Sequence, residues 1–328
     1  MSTPIRVLTR EDVLKALTMQ EAVALMRTAF TELSLGRVTA PQRLSVEMPE
    51  QEGRVLLMPI HMPAVGQFGL KLVSLFTKNP DRGLPYIHAV MLLLDGNDGR
   101  PLALMDAEHL TALRTGAATA LATDLLARRN SSALMVFGAG AQARFQVEGV
   151  CAVRPIHRVV VYDPHPERAA RLIRELPAST DCELIVARSP RAAAEVDIIC
   201  TATTSRSPVF EDADIRPGTH INGIGAYRHD MCEIPPATLA HALILVDSRS
   251  SALEEAGDII QAIRAGQLSP SQIQGELGEI VSGKKPGRTS DDQITVFKSV
   301  GNASQDLVAA QRILVNAEKL GLGAVLKL

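Results

Sequence analysis

The positions of apolar and polar residues divide the chain into two regions with different periodicities. In the first region, residues 18–36 place apolar side chains on one face of a helix, which begins at a capping box formed by Thr18 and Glu21. Apolar runs separated by turn residues come next, and they predict strands at 43–48, 54–58, 69–76, 86–94 and 101–105. Because consecutive strands joined by turns pair side by side, this region is predicted to form a largely antiparallel sheet.

From about residue 115 the pattern changes to helices that alternate with strands. Helices are predicted at 116–128, 141–152 and 166–176, and strands at 133–137, 157–162, 183–186, 196–201, 219–224 and 242–247. The alternation indicates an α/β fold with a doubly wound, mostly parallel sheet. A strand at 294–299 and a helix at 302–320 end the chain, and we expect this helix to pack on the N-terminal region. The alternating region is then an insertion between two pieces of another domain.

A glycine-rich turn joins the first strand of the alternating region to the helix after it. The apolar run 133–137 ends in Gly138-x-Gly140-x-x-Ala143, which is the order expected where a helix N-terminus meets a dinucleotide pyrophosphate. Gly138 allows the tight turn, and Gly140 lets the backbone approach the phosphates. The alternative is a glycine turn in an α/β protein that binds no cofactor.

Asp163 follows the next strand, at the position where an acid binds the ribose hydroxyls of an adenosine. This acid favours NAD(H), because a carboxylate repels the 2′-phosphate of NADP(H). The basic residues His165 and Arg168 follow Asp163 in the sequence and reduce that preference, so NADP(H) remains a possible cofactor.

Two further loops follow predicted strands, at the edge where α/β sheets bind ligands. Residues 201–204 offer small side chains and hydroxyls to the nicotinamide half of a cofactor, or they form a plain exit from the strand. The glycines of 223–227 allow close approach to a ligand, or they serve a turn that needs a positive φ. Asp247 ends another strand, and Ser248 is placed to cap the helix after it.

The candidate basic groups come from the first region. Lys71 lies inside an apolar strand, where a lysine must reach solvent, pair with an acid or face a ligand. Arg43 is a similar case, and Arg114 directly precedes the helix predicted at 116–128. Three separated bases can hold a small carboxylate. A lysine on a solvated strand face is an equal alternative for Lys71.

Composition limits the classes of function. A net charge of −2 gives no electrostatic footprint for nucleic acid or a membrane, and the absence of Trp argues against base stacking. The cysteines and histidines show no metal-ligand spacing, so no metal is expected, and His220 and His229 are only weak acid–base candidates. No signal-peptide pattern and no stretch of about 18 apolar residues occurs, so we expect a cytoplasmic protein.

Several segments, in consistent order from about residue 40 to the C-terminus, resemble the ornithine cyclodeaminase/μ-crystallin family. They are LRTGAATALA (113–122), VFGAGAQA (136–143), GTHINGIGA (218–226), LVDS (245–248), GELGE (275–279), PGRTS (286–290) and VFKSVG (296–301). Jointly these motifs are highly specific for the family.

The resemblance implies a Rossmann NAD(P)-binding domain at 116–302, inserted into an α+β substrate-binding and dimerisation domain formed by 1–115 plus 303–328. It also implies a homodimer that acts on a small imino or amino acid. By motif, Arg43, Lys71 and Arg114 bind the substrate carboxylate, and Val300 contacts the substrate. The implied cofactor contacts are Gly138, Gly140, Ala141, Gln142, Asp163, Thr203, Ile224, Gly225, Ala226 and Ser299.

One position departs from the ornithine cyclodeaminase pattern. In those enzymes the loop after the glycines carries an aspartate that binds the substrate amine and acts in ring closure, whereas Tyr227 stands at the matching position here. A phenol is neutral at pH 7 and is a poor base, and Asp230 lies three residues too late. The loop more closely resembles that of the family's Δ1-pyrroline-2-carboxylate (ketimine) reductases.

The resemblance therefore favours an NAD(P)H-dependent reductase that converts Δ1-pyrroline-2-carboxylate or a related ketimine to L-proline or an analogue. The candidate catalytic residues are Arg43, Lys71, Arg114 and Tyr227. Three alternatives stay open: an ornithine cyclodeaminase, an alanine-type amino acid dehydrogenase, and a non-catalytic μ-crystallin-like protein that binds NADPH or another ligand.

Overall fold

The computed structural model describes residues 3–176 and 182–327. The strands, in chain order, are β1 (Pro4–Leu8), β2 (Leu44–Met48), β3 (Gly53–Met62), β4 (Gln67–Phe76), β5 (Ile87–Asp95), β6 (Pro101–Asp106), β7 (Ala133–Phe137), β8 (Arg158–Tyr162), β9 (Glu183–Val186), β10 (Ile198–Thr201), β11 (His220–Gly223), β12 (Leu243–Val246), β13 (Ile273–Glu276), β14 (Thr295–Lys298) and β15 (Ala324–Lys327). The α-helices are α1 (Arg10–Ala16), α2 (Met19–Ser34), α3 (Glu108–Leu126), α4 (Ala143–Cys151), α5 (Pro166–Glu175), α6 (Pro236–His241), α7 (Arg249–Glu255), α8 (Gly257–Arg264), α9 (Leu277–Val281) and α10 (Ala303–Leu320).

The chain divides into two compact units, and the division falls inside helix α3. Unit 1 consists of Met1–Arg114 and Asn302–Leu328, and unit 2 consists of Thr115–Gly301. Unit 1 is built on a sheet with the strand order β15-β1-β6-β5-β4-β3-β2, and unit 2 on a sheet with the order β13-β12-β14-β11-β10-β7-β8-β9.

In unit 1, strands β2 to β6 pair antiparallel in sequence order, which confirms the predicted antiparallel sheet. Alternate residues of these strands, such as Met58, Lys71 and Met91, stand opposite one another and are buried. Helix α10 packs against β3 and β4 and against helices α1 and α2. Helix α2 begins at the capping box predicted for Thr18 and Glu21.

The other side of the same sheet carries apolar side chains that are partly or largely exposed, and we call these residues the outer face. They form two cross-strand rows, as the pairing of β2 to β6 shows: Leu44, Leu57, Leu72 and Val90 in one, and Pro59, Leu70, Leu92 and Leu104 in the other. Leu44 is 59% exposed and Val90 is 40% exposed. An apolar surface of this kind on a single copy of a chain is typical of an interface.

In unit 2 every strand pair is parallel, which confirms the predicted α/β class. Apolar residues are buried on both faces of this sheet, as expected where helices cover both sides. From β7 the chain first adds β8 and β9 on one side, and later adds β10 and β11 on the other. The order therefore reverses between β7 and β10, which is the point where such sheets bind ligands.

Helix α3 corrects the prediction around Arg114. The helix begins at Glu108, eight residues before the predicted start, so Arg114 lies within it rather than ahead of it. The Asp106 carboxylate accepts the backbone N–H of His109 at 3.0 Å, and this bond supports the earlier start. Strands β1, β13 and β15 and helices α1, α6, α8 and α9 were not predicted, because each is short and its apolar positions show no extended period.

His220 is a core residue, so its candidacy as an acid–base group is wrong. Its Nδ1 lies 2.9 Å from Thr295 Oγ1 and its Nε2 lies 3.2 Å from Asn222 Oδ1, all within the buried sheet. Burial lowers the pKa of His220 to about 3, so the ring is neutral at ordinary pH.

Membrane-spanning helices and metal sites are both absent from the part of the chain that the structure describes. None of the described helices is both long enough and apolar enough to span a membrane. Among the same residues, His, Cys, Asp and Glu side chains do not gather in a group that could hold a metal ion.

Candidate functional site

The glycine turn after β7 depends on its two glycines for different reasons. Gly138 has a φ of +91°, and a Cβ atom there would lie 2.7 Å from the carbonyl oxygen of Ala202. The fold itself therefore requires glycine at 138. A Cβ atom at Gly140 would meet no heavy atom of the described residues within 4 Å. The space beside Gly140 is open, as a site for an approaching ligand requires.

A cavity of about 600 Å³ lies beside this turn in unit 2. It is lined by the turn itself, by the segment after β8, by the segment after β10 and by a few neighbouring side chains: Phe137, Gly138, Ala139, Gly140, Tyr162, Asp163, Pro164, His165, Arg168, Pro190, Ala202, Thr203, Thr204, Ser205, Pro208 and Val209. The cavity thus lies at the carboxyl ends of β7, β8 and β10, where the strand order reverses. Its volume falls within the range of small-molecule sites.

Asp163 is held at the wall of this cavity by two backbone N–H groups. Its Oδ2 accepts the N–H of Ala139 at 3.0 Å, and its Oδ1 accepts the N–H of His165 at 2.9 Å. Each carboxylate oxygen keeps a second lone pair for a hydroxyl group. Within the described residues, the buried Oε1 of Gln142 has no hydrogen-bond partner, although Gln142 stands at the start of α4. The open space at Gly140 and the fixed carboxylate fit a dinucleotide.

Two buried carboxylates hold the loops at the same edge of the sheet: Glu233, which was not predicted, and Asp247, which was predicted to end a strand there. Glu233 accepts hydrogen bonds from the loop after β10 and from the loop after β11. Asp247 Oδ2 accepts the hydroxyl of Ser299 at 2.8 Å and the backbone N–H groups of Val300 and Gly301 at 2.9 and 2.8 Å. Ser248, as predicted, caps helix α7.

The remaining predicted cofactor and substrate contacts have distinct environments. Thr203 lines the cavity, whereas Ile224 and Ala226 are buried within unit 2. Val300 is also buried, and its side chain packs with the core on one face of the sheet. Tyr227 is partly buried against the same core. Each of these residues lies in a loop that Glu233 or Asp247 anchors, or directly beside one.

In unit 1 two of the three predicted basic residues, Lys71 and Arg114, meet around a carboxylate on helix α10. Lys71 Nζ lies 2.7 Å from Asp306 Oδ2, and Arg114 Nε lies 2.9 Å from Asp306 Oδ1. Arg114 also donates to Gln305 Oε1 at 2.8 Å, and Lys71 donates to Thr111 Oγ1 at 3.4 Å. Lys71, Arg114 and Asp306 are all buried.

Charge and burial set the protonation of this cluster. Burial lowers the pKa of Lys71 to about 8; Asp306 opposes the shift, while the positive charges of Arg114 and Arg43 add to it. Burial acts to raise the pKa of Asp306, but Arg114 and Lys71 outweigh it and hold the pKa below its usual range. Two buried cations, Lys71 and Arg114, therefore pair with one carboxylate, and Arg43 adds its positive charge at Lys71, so the excess positive charge attracts a further anion.

Similarity to known proteins identifies the family of this chain. Residues 5–320 match the family described as ornithine cyclodeaminase/mu-crystallin. The chain belongs to this family. It is 38% identical to a Delta(1)-pyrroline-2-carboxylate reductase of Bacillus cereus over 316 residues, which cover 94% of this chain and 95% of the relative.

Two solved structures of related chains have nearly the same fold. One is Thermococcus litoralis Delta(1)-pyrroline-2-carboxylate reductase in complex with NADH and L-proline (TM-score 0.94, 38% identity, covering 98% of this chain and 99% of that one). The other is an archaeal alanine dehydrogenase dimer with bound NAD (TM-score 0.93, 35% identity, covering 99% of each chain). The family resemblance inferred from the motifs is confirmed.

Two residues of these sites, Asp306 and Glu233, were not predicted from the sequence, for related reasons. Asp306 lies in the first turn of α10. An acid at this position is explained by its favourable interaction with the helix dipole, so nothing in the sequence indicated a buried ion pair. Glu233 stands in a loop between apolar residues, with no periodic neighbour to mark it as buried. In both cases the available signal was one acid next to buried apolar positions.

Proposed function

We propose that this chain is an NAD(H)-dependent reductase of a cyclic 2-imino acid, Δ1-pyrroline-2-carboxylate or a related ketimine, with L-proline or its analogue as product. The observation that carries the proposal is the buried cluster in which Lys71 and Arg114 outnumber Asp306, with the charge of Arg43 acting on Lys71. It supports binding of a small carboxylate. The related reductases of Bacillus cereus and Thermococcus litoralis support the choice of substrate.

The residues of unit 2 would hold the cofactor. Gly138 shapes the turn and Gly140 leaves room for the pyrophosphate at the start of α4, with Ala141 and Gln142 as further contacts, and Asp163 accepts the ribose hydroxyls. Thr203, Gly225 and Ser299 belong to the loops assigned to the nicotinamide half. NADH, when bound, supplies the hydride that reduces C2 of the imine.

The residues of unit 1 would hold the substrate. The guanidinium groups of Arg43 and Arg114 would bind the substrate carboxylate, for which their planar donor geometry is suited. Lys71 presents three N–H donors, of which Asp306 and Thr111 take two. The third is then directed to the substrate. Fixing the carboxylate orients the C=N bond, an effect worth up to about 7–11 kcal/mol at its best.

Lys71 is also the proton donor in this proposal. A pKa of about 8 places its proton close to neutral pH, which is the range where a general acid works best. Its ammonium would give a proton to the imine nitrogen, whose C=N double bond becomes a C–N single bond on reduction. The neutral amine of Lys71 then takes a proton from solvent.

The decisive experiment is oxidation of NADH or NADPH, followed at 340 nm, with Δ1-pyrroline-2-carboxylate as substrate. We expect turnover, with NADH preferred. Asp163→Ala should lower the affinity for NADH, because the ribose hydroxyls lose their acceptor. The difference in affinity between NADH and NADPH should become smaller, because the carboxylate that repels the 2′-phosphate of NADPH is gone while both cofactors keep the pyrophosphate. Absence of turnover with either cofactor would overturn the proposed reaction.

A second candidate is amino acid dehydrogenation of the alanine type, which the similarity to the archaeal alanine dehydrogenase favours. It uses the same cluster, because the imine of pyruvate and ammonia also carries a carboxylate next to C=N. NADH oxidation with pyruvate and ammonium tests it. Ornithine cyclodeaminase activity has less support, because Tyr227 stands where that reaction needs an aspartate; proline formed from ornithine without added reductant would restore it.

We also propose that the chain forms a homodimer through the outer face of unit 1. The two apolar rows of that face support the proposal, since Leu44 and Val90 are largely exposed in a single copy. The related archaeal alanine dehydrogenase is a dimer.

A further inference from the structure

Two loops of unit 2 meet directly at the carboxyl ends of neighbouring parallel strands. The first runs through residues 201–205 after β10, and the second through residues 223–227 after β11. A Cβ atom at Gly225 would lie 2.2 Å from the carbonyl oxygen of Thr203, so the backbones of the two loops touch. Thr203 also lines the cavity.

One carboxylate joins these loops. Glu233 Oε1 accepts the backbone N–H of Thr203 at 2.6 Å. Its Oε2 accepts the Thr201 hydroxyl at 2.9 Å and the backbone N–H groups of Gly225 and Ala226 at 2.7 and 2.9 Å. The side chain is fully buried, so its position fixes the distance between the loops.

Glu233 is in turn held by a buried ion pair. Asp258 Oδ1 accepts the backbone N–H groups of Glu233 and Ile234 at 2.5 and 3.0 Å, and Asp258 Oδ2 lies 2.9 Å from Lys298 Nζ. Lys298 is the last residue of β14, the strand next to β11. The side chains of Glu233, Asp258 and Lys298 are completely buried. Burying charged groups costs free energy, and apolar residues would stabilise a core equally well, so stability alone does not explain them.

We infer that Glu233 is a positioning residue for the nicotinamide cofactor, acting through the backbone of the Thr203 and Gly225 loops. The inference rests on the proposed function, because it takes the cavity beside Thr203 as the cofactor site. Glu233 itself need not touch the cofactor. Its two oxygens set the distance between the loops that form one wall of the site.

The test compares Glu233→Gln with a matched control. A glutamine has one acceptor oxygen, so it cannot accept the backbone N–H of Thr203 together with those of Gly225 and Ala226, and its NH2 group faces an N–H group on one side. Asp197→Asn is the control: Asp197 accepts the backbone N–H groups of Ser132 and Ala133 at 2.8 and 3.1 Å and pairs with Arg128, at the amino ends of β10 and β7. Both variants loosen backbone held by a carboxylate, but only Glu233 holds a loop that lines the cavity.

NADH binding, measured by its fluorescence, and amide hydrogen exchange of the protein without cofactor are the two readouts. We expect Glu233→Gln to raise the NADH dissociation constant about tenfold or more, because the loops lose hydrogen bonds to a charged acceptor. Exchange at Thr203, Gly225 and Ala226 should become faster. Asp197→Asn should lower the melting temperature and leave the NADH dissociation constant within about twofold.

The outcomes separate this inference from the proposed function. Wild-type affinity for NADH and wild-type exchange in Glu233→Gln would overturn the inference even if the imine is reduced. Normal NADH binding without turnover of any imine would overturn the proposed reaction and leave the inference standing. If Glu233→Gln does not fold, Glu233→Asp decides, because it keeps the charge but is one methylene too short to reach both loops; unchanged NADH affinity in that variant would overturn the inference.

Discussion

Lys71 Nζ lies 2.7 Å from Asp306 Oδ2, and both side chains are almost completely buried. Asp306→Asn removes the only carboxylate among the residues described in this cluster and leaves Lys71 and Arg114 buried without a counter-ion. Breaking a buried pair from one side costs about 3–5 kcal/mol, so we expect a loss of that order in urea unfolding. Glu175→Gln, in the exposed pair with Arg171, is the control and should change stability little. Equal stability of the two variants would contradict the prediction.

The pKa of Lys71 predicts opposite responses of activity and stability to pH. Imine reduction should decline as pH rises through about 8, because the neutral amine cannot donate a proton. The folded pKa lies below the ordinary 10.5, so the unfolded chain binds more protons between these values. The contribution of Lys71 to folding stability therefore increases as pH rises from about 8 to 10.5.

Pre-steady-state or steady-state rates across pH 6–10 check this prediction, together with melting temperatures at the same pH values (an interval of about four units around the Lys71 pKa). Lys71→Met should remove the rise of stability relative to wild type, along with most of the activity. A wild-type rate that falls only where the protein begins to melt would show that unfolding, and not Lys71, causes the decline.

The two glycines of the turn should differ when they are substituted. Gly138→Ala places a side chain at a φ of +91° and against the carbonyl of Ala202, so it should cost at least about 1–3 kcal/mol of stability. Gly140→Val has open space around the new side chain, so the melting temperature should change little while NADH binding is lost. Calorimetry and NADH fluorescence measure the two effects. A Gly140→Val protein that binds NADH normally would place the pyrophosphate elsewhere.

The outer face predicts the oligomeric state. Leu72→Arg puts a charge in the middle of an apolar row, so light scattering should show half the wild-type mass. Leu14→Arg is the matched control, because Leu14 is 47% exposed on helix α1, away from that face. A wild-type protein that is already monomeric, or a Leu72→Arg protein of unchanged mass, would contradict the proposed interface.

Local patterns in the sequence predicted most of the fold. Strand β7 and the turn at Gly138 follow from a short apolar run and a glycine spacing, both of which act over a few residues. The start of α3 was predicted too late because the bond between Asp106 and His109 was not recognised as a cap.

The candidate site was predictable only in part. Lys71 and Arg114 stood out as bases in apolar surroundings, but their partner Asp306 lies on the last helix, far along the chain. Glu233 likewise acts on loops that precede it by many residues. A single sequence carries no signal for such pairings, because they arise from tertiary packing rather than from local periodicity.

Strand β4 serves two purposes with alternate residues. Lys71 points to the buried side of the sheet, while Leu70 and Leu72 belong to the outer face. Inserting or deleting one residue in this strand would exchange the two sides, sending a leucine into the charged cluster and a lysine into the proposed contact between subunits. Substitutions can therefore change these side chains one at a time, but a shift in the register of the strand would disrupt the charged cluster and the outer face together.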